Sequence, residues 1–268
     1  MTTSGTGRPF AVVTGASSGI GYELAVQFVE HGYDLVIAAE DDGIGTAAQR
    51  LRRDGGPRVH PVRVDLTRAE GVEELAAAVT ATGRPVDGLA LNAGRGAGGE
   101  FVGGTALADE LAVVDLNVRS TVHLAKLLLP AMVRRGAGRV LFTSSIAATM
   151  PGPFQAVYNA SKSFVQSFAE ALRNELKDTG VTVTSLMPGP ADTEFFDRAE
   201  LADTRLGSGR KDDPRKVAEQ GSAAMMCGDQ TVTAGALLNK VQTAAGKIVP
   251  DRLTAAQLRR TAEPASGS

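Results

Sequence analysis

The sequence predicts an α/β fold: a doubly wound parallel sheet with helices on both faces, in one domain. Three observations predict it. Apolar strand-like runs alternate with helical patterns along most of the chain, the first strand runs through a glycine-rich turn into an amphipathic helix, and later strands end in polar residues. Strict alternation of this kind leads to a parallel sheet covered on both sides.

Taken in order, FAVVTGASSGIG (10–21) is a short β-branched strand, a glycine turn and a helix start, continued by Leu24, Ala25, Phe28 and Val29 over a helix at 21–31. Gly15, Gly19 and Gly21 lack a Cβ, so the backbone can turn sharply and its N–H groups can approach a pyrophosphate at the helix N-terminus. The next strand (33–39) ends at Glu40, about twenty residues on, where a carboxylate can accept hydrogen bonds from an adenosine ribose. A helix follows at 44–54, then a strand at 58–64 ending in VDL with Asp65 and Leu66. After a helix at 69–82, the strand at 87–91 ends in LNAG, Asn92 to Gly94, and the RGAGG run (95–99) predicts a flexible loop. One long helix is expected over 106–135.

The strand at 138–144 ends in hydroxyls at Ser144 and Ser145, a Pro/Gly loop (150–153) follows, and Tyr158 opens a long amphipathic helix at 158–179 with Phe164, Phe168 and Leu172 on one side. Open α/β sheets bind ligands at the carboxyl ends of their strands, where Ser145 stands. Tyr158 and Lys162, four apart, share a helix face. An ammonium there is expected to pull the phenol down from its usual pKa of ~10 and make the pair an acid/base unit. Alone this spacing is far more often just a solvated helix face, and its position carries the argument. Strands at 181–187 and 230–233 complete the set, and the architecture is a Rossmann-like, three-layer α/β/α sandwich.

Together, TGASSGIG, NAG at 92–94, Asn117 in DLNV, Ser145, YNASK at 158–162 and PGPADTEF at 188–195 resemble the short-chain dehydrogenase/reductase family over nearly the whole chain. The stretches KDDPRKVAEQGSAAMM and TVTAGALLNKVQ are similar to a bacterial branch of oxidoreductases within it, most of whose substrates are unassigned. The resemblance implies an NAD(P)-dependent interconversion of a carbonyl and an alcohol. It makes Tyr158 the general acid/base, Ser145 the donor to the substrate oxygen and Lys162 a ligand of the nicotinamide ribose. Asn117 would hold, through its backbone carbonyl, a water leading to the lysine. Around the dinucleotide it places Ser17, Ser18 and Ile20 beside the three glycines, then Glu40, Asp65, Leu66, Asn92, Ala93 and Gly94. Pro188, Gly189 and Thr193 close the far side. Glu40 would repel a 2′-phosphate and favours NAD over NADP. A lid at 190–213 with Phe195, Phe196 and Leu201, together with Met150 and Phe154, implies an apolar, medium-sized ketone, aldehyde or alcohol. The long helices imply at least a homodimer. The usual Asp-Gly-Gly ending is missing, which leaves a tetramer open.

At 268 residues with 43% hydrophobic side chains, one domain over 9–235 can bury a sizeable core, flanked by a flexible tail (1–8) and a C-terminal helical extension (236–268). A net charge of −2 gives no case for nucleic acid, and no run is long and apolar enough for a membrane span. These features place the chain in the cytoplasm. The three histidines lack metal-ligand spacing, so no metal is expected, and the single cysteine, Cys227, reads as a packed helix residue. A catalytically silent dinucleotide-binding regulator or scaffold stays open at this stage, since a fold does not establish a function.

Overall fold

The computed structural model describes residues 7–52, 54–193 and 211–235. Among these residues seven strands form one parallel sheet: β1 (Phe10–Thr14), β2 (Asp34–Ala39), β3 (Val59–Arg63), β4 (Gly88–Leu91), β5 (Gly138–Thr143), β6 (Val181–Pro188) and β7 (Thr231–Ala234). Their order is β3-β2-β1-β4-β5-β6-β7. Among the described residues the α-helices are α1 (Gly19–Glu30), α2 (Gly43–Leu51), α3 (Ala69–Ala81), α4 (Leu107–Val114), α5 (Ser120–Arg135), α6 (Ala156–Glu175) and α7 (Pro214–Cys227).

Strand alternation divides the core in two. Phe10 and Val12 of β1 point into the cluster that α3, α5 and α6 cover with Leu75, Leu124, Met132 and Val165. Ala11 and Val13 point into the opposite cluster, where α1, α2 and α7 supply Leu24, Phe28, Ala48 and Val217. At the amino-terminal edge Asp34, 4% exposed, bonds to Arg58 and Arg84, and these contacts hold its carboxyl below the usual range despite burial.

Four expectations change. The single helix over 106–135 is interrupted by a π turn at Asp115–Arg119. The side shared by Phe164 and Phe168 is not uniformly buried: Phe164 is 41% exposed, while Phe168 packs edge-on against Phe142. Cys227 is exposed at the last residue of α7, so it is not packed. The RGAGG loop is anchored at both ends, with the Arg95 backbone bonded to Asn117 and Gly99 N donating to the carbonyl of Phe154. Most of the expected tail, lid positions 194–210 and the extension at 236–268 lie outside the described residues. Among the described residues no helix is long and apolar enough to cross a membrane.

Candidate active site

The carboxyl ends of β1, β4 and β5 meet where the sheet order jumps from β1 to β4, the switch point at which open α/β sheets bind ligands. Past β5, Ser144 turns inward and its hydroxyl donates to the carbonyl of Lys162 at 3.1 Å, a structural role. Ser145 adopts extended backbone and caps a 3₁₀ turn (Ile146–Thr149), its Oγ accepting from Ala147 N at 3.1 Å. That turn is tied to α6, because Asn159 Nδ2 donates to the carbonyls of Ala147 and Met150 and Ser163 Oγ to that of Ala148. The distance between Ser145 and the first turn of α6 is thereby fixed.

Tyr158 stands in that first turn, 9% exposed, against Ala97 and Val113. Burial pushes its phenol up to about 12, and a hydrogen bond with Ser145 works more weakly the other way. Lys162 lies one turn on, with Nζ 5.9 Å from the Tyr158 ring centroid and donating to the carbonyl of Thr143 at 2.9 Å. Burial lowers its pKa to about 8. The anticipated downward pull of the lysine on the phenol is therefore corrected: desolvation dominates at Tyr158, only the Ser145 hydrogen bond works against it, and at neutral pH the proton stays on Tyr158.

Asn117, 1% exposed, sits inside the π turn, a device frequent at functional sites. Its Oδ1 accepts from Arg95 N, and its Nδ2 donates to Arg95 O and Ser161 Oγ, all at 2.9 Å. Ser161 Oγ in turn donates to the carbonyl of Tyr158 at 2.7 Å. The side chain thus joins the loop after β4 to the helix bearing Tyr158 and Lys162.

On the dinucleotide side, Gly15 has φ +67°, and a Cβ there would stand 2.9 Å from Ala93 Cα, so only glycine closes this turn. A Cβ at Gly94 would come within 3.1 Å of both Asn117 Oδ1 and Lys162 Nζ. The bare backbone at Gly94 thus lets the strand end of β4 approach the lysine and Asn117 closely. Ser18, Gly19, Thr193 and Lys211 line a cleft of about 400 Å³, with the Thr193 side chain packed close against Gly19. Pro188 ends β6, and Gly189 leads on toward Thr193. Glu40 is exposed just past β2, Leu66 and Ile20 pack inward, and Ala93 borders the first core cluster.

Several side chains named from the sequence serve the scaffold here. Asn92 Nδ2 donates to Thr14 O, and its Oδ1 accepts from Thr143 Oγ1 at 3.0 Å, stitching three strand ends together. Asp65 Oδ1 accepts from Thr67 N and Oγ1, and Ser17 Oγ donates to Asp41 Oδ2 at 2.8 Å. The supporting residues Thr14, Thr143, Asn159, Ser161 and Ser163 were not singled out. The run of small polar side chains in YNASKS was the available signal.

The model of the short chain dehydrogenase family matches residues 9–203. An uncharacterized oxidoreductase of Staphylococcus saprophyticus is 33% identical over 210 residues, 78% of this chain and 87% of that protein. Serine 3-dehydrogenase of Agrobacterium fabrum is 34% identical over 187 residues, 69% of this chain and 72% of the other. Among solved structures, a short-chain dehydrogenase from Sphingobium yanoikuyae in complex with NADPH matches with a TM-score of 0.78 at 26% identity, covering 84% of this chain and 87% of that one.

Proposed function

The chain belongs to the short-chain dehydrogenase family and is an NAD(P)-dependent oxidoreductase acting on CH–OH groups; from that premise we propose that Tyr158 is its proton donor and acceptor. One observation carries the reading: a buried phenol, hydrogen-bonded with Ser145, shares a helix face with Lys162 at the switch point of the sheet.

In the reducing direction Tyr158 Oη gives its proton to the carbonyl oxygen, while the Ser145 hydroxyl hydrogen-bonds that oxygen as charge develops. In the oxidising direction the phenolate takes the proton back. Lys162 supplies positive charge behind the phenol and a donor for ribose hydroxyls, and the Asn117 backbone carbonyl would hold the water leading to it. NAD(P), when bound, supplies or receives the hydride. It would be held by the Gly15 to Gly21 turn, the strand-end residues Glu40, Asp65, Leu66 and Asn92 to Gly94, and Pro188, Gly189 and Thr193. Together these roles assign one domain to the described region.

NAD is the favoured partner in this reading. Glu40 is exposed and followed by two aspartates, and Arg63, the cation beside them, is engaged by Asp42 at 2.6 Å. Arg52 is likewise occupied, donating twice to the carbonyl of Val59. A 2′-phosphate would meet carboxylates there. The substrate is an apolar, medium-sized carbonyl compound or alcohol, with Met150 and Phe154 bordering the site; Phe195, Phe196 and Leu201 lie outside the described residues. The working unit is a homodimer, because Leu107, Leu111 and Val114 form an exposed stripe on α4, joined by Leu127 and Phe164 on the neighbouring helices. A cytoplasmic location, expected from the sequence, is part of the same reading.

The test is twofold. Dinucleotide oxidation or reduction is followed across a panel of ketones and alcohols, and both dinucleotides are titrated calorimetrically. Turnover with tighter NAD binding is expected. Binding without turnover on any substrate would point to a silent scaffold, and tighter NADP binding would reverse the cofactor assignment.

A further inference from the structure

Asn159 is 5% exposed in the first turn of α6, one residue past Tyr158, where a primary amide is costly to bury unless it is hydrogen-bonded. Both its N–H groups are engaged. Nδ2 donates to the carbonyls of Ala147 at 3.1 Å and Met150 at 3.0 Å, both in the segment that leads from Ser145 to α6. Alanine would need no partner at this position and is the better helix former. The chain keeps the amide.

Its setting shows what that amide holds. Ala147, whose carbonyl takes one Asn159 N–H, gives its own N–H to Ser145 Oγ at 3.1 Å, so two hydrogen bonds link Asn159 to the hydroxyl that meets Tyr158. On the other side lies Gly152. A Cβ there would overlap Cγ, Oδ1 and Nδ2 of Asn159, although Gly152 does not have a positive φ and its backbone does not call for glycine. The amide does. Gln155 N donates to the Gly152 carbonyl at 3.0 Å and Asn159 N to the Gln155 carbonyl at 2.9 Å, which ties the glycine to the helix start and leaves it little room to retreat.

We propose that Asn159 is a positioning residue for the reaction: clamped between Gly152 and the carbonyls of Ala147 and Met150, its amide sets the Ser145 hydroxyl against the Tyr158 phenol. It acts through Ser145. The consequence for turnover rests on the oxidoreductase reading, whereas the consequence at the phenol rests on the hydrogen bonds alone.

The experiment compares wild type with Asn159→Ala, Gly152→Ala and Ser145→Ala, and repeats Asn159→Ala in the Ser145→Ala protein. Gly152→Ala pushes the amide aside without altering its chemistry, so it carries the test if Asn159→Ala folds poorly by circular dichroism. Two readouts are taken. One is kcat on the best substrate beside calorimetric dinucleotide Kd, and the other is the carbon-13 NMR resonance of Tyr158 Cζ in protein with labelled tyrosine, assigned through Tyr158→Phe. Asn159→Ala and Gly152→Ala should each lower kcat by about 10- to 100-fold, as an ångström-scale misplacement does, with Kd within a few-fold of wild type. In both, the Tyr158 resonance should move in the direction it takes in Ser145→Ala, and Asn159→Ala should move it no further once the Ser145 hydroxyl is gone. An absence of turnover in wild type would sink the oxidoreductase reading, while the resonance still reports on Asn159. A wild-type Tyr158 resonance in Asn159→Ala and Gly152→Ala, or a further shift when Asn159→Ala is added to Ser145→Ala, overturns the proposal.

Discussion

Lys162 places an ionisable group where water is excluded, and its effect on stability follows from its pKa of about 8 against an ordinary 10.5. Below pH 8 the lysine is charged in both folded and unfolded chains, and burial costs the fold on the order of 3 kcal/mol. Between about pH 8 and 10.5 the unfolded chain binds the extra proton, so stability rises with pH through that window. Tyr158, raised from 10.0 to about 12, acts oppositely: its contribution is complete below pH 10 and is lost toward 12. Lys162→Met should therefore gain on wild type at pH 7, less about 1–3 kcal/mol for the unpaired Thr143 carbonyl. Urea unfolding across pH checks this, and the margin should narrow from pH 8 to 10; a flat or widening margin contradicts it. Since the proton rests on the phenol at neutral pH, initial rates of reduction should persist there, while those of alcohol oxidation should climb with alkalinity. Spacing in the sequence located Ser145, Tyr158 and Lys162 on adjoining elements. It could not show which way side chains turn, and for that reason Asn92, Asp65 and Ser17 were read only as ligand contacts although they bind the scaffold.

At the level of elements, the π turn at Asp115–Arg119 has the most consequence, because it brings Asn117 inward between the loop after β4 and α6. Apolar periodicity runs on through the extra residue, so the sequence reads as one helix. Asn117→Ala leaves the Arg95 N–H and C=O and the Ser161 hydroxyl short of partners. It should destabilise the protein by about 2–3 kcal/mol in denaturant titrations and lower kcat more than it weakens dinucleotide binding. Unchanged stability would mean that the loop is held by other contacts. Helix α7 was absent from the expected rhythm although its start was marked: Asp213 accepts from Arg215 N at 2.9 Å, and Pro214 follows at the first helical position. Most other boundaries lie close to the expected ones, since β-branched runs and amphipathic repeats are local signals.

Over the whole molecule, sheet order and two-sided burial were legible because a strict alternation of strand and helix has few solutions. Association is less legible, since a stripe of leucines on a helix looks the same whether it faces a core or a second copy. If the proposed dimer forms through this stripe, Leu111→Glu should give a folded monomer by light scattering where wild type is dimeric, with circular dichroism unchanged; a monomeric wild type at micromolar concentration would contradict the proposal. In the proposed mechanism one buried phenol is presented to a carbonyl oxygen, and Tyr158→Phe is the sharpest probe of it, because this change removes the transferable proton and little packing surface. Steady-state turnover on the best substrate should fall by about 10²–10⁴-fold while calorimetric dinucleotide affinity stays within a few-fold of wild type. Near-normal turnover in that variant would rule out Tyr158 as the proton donor.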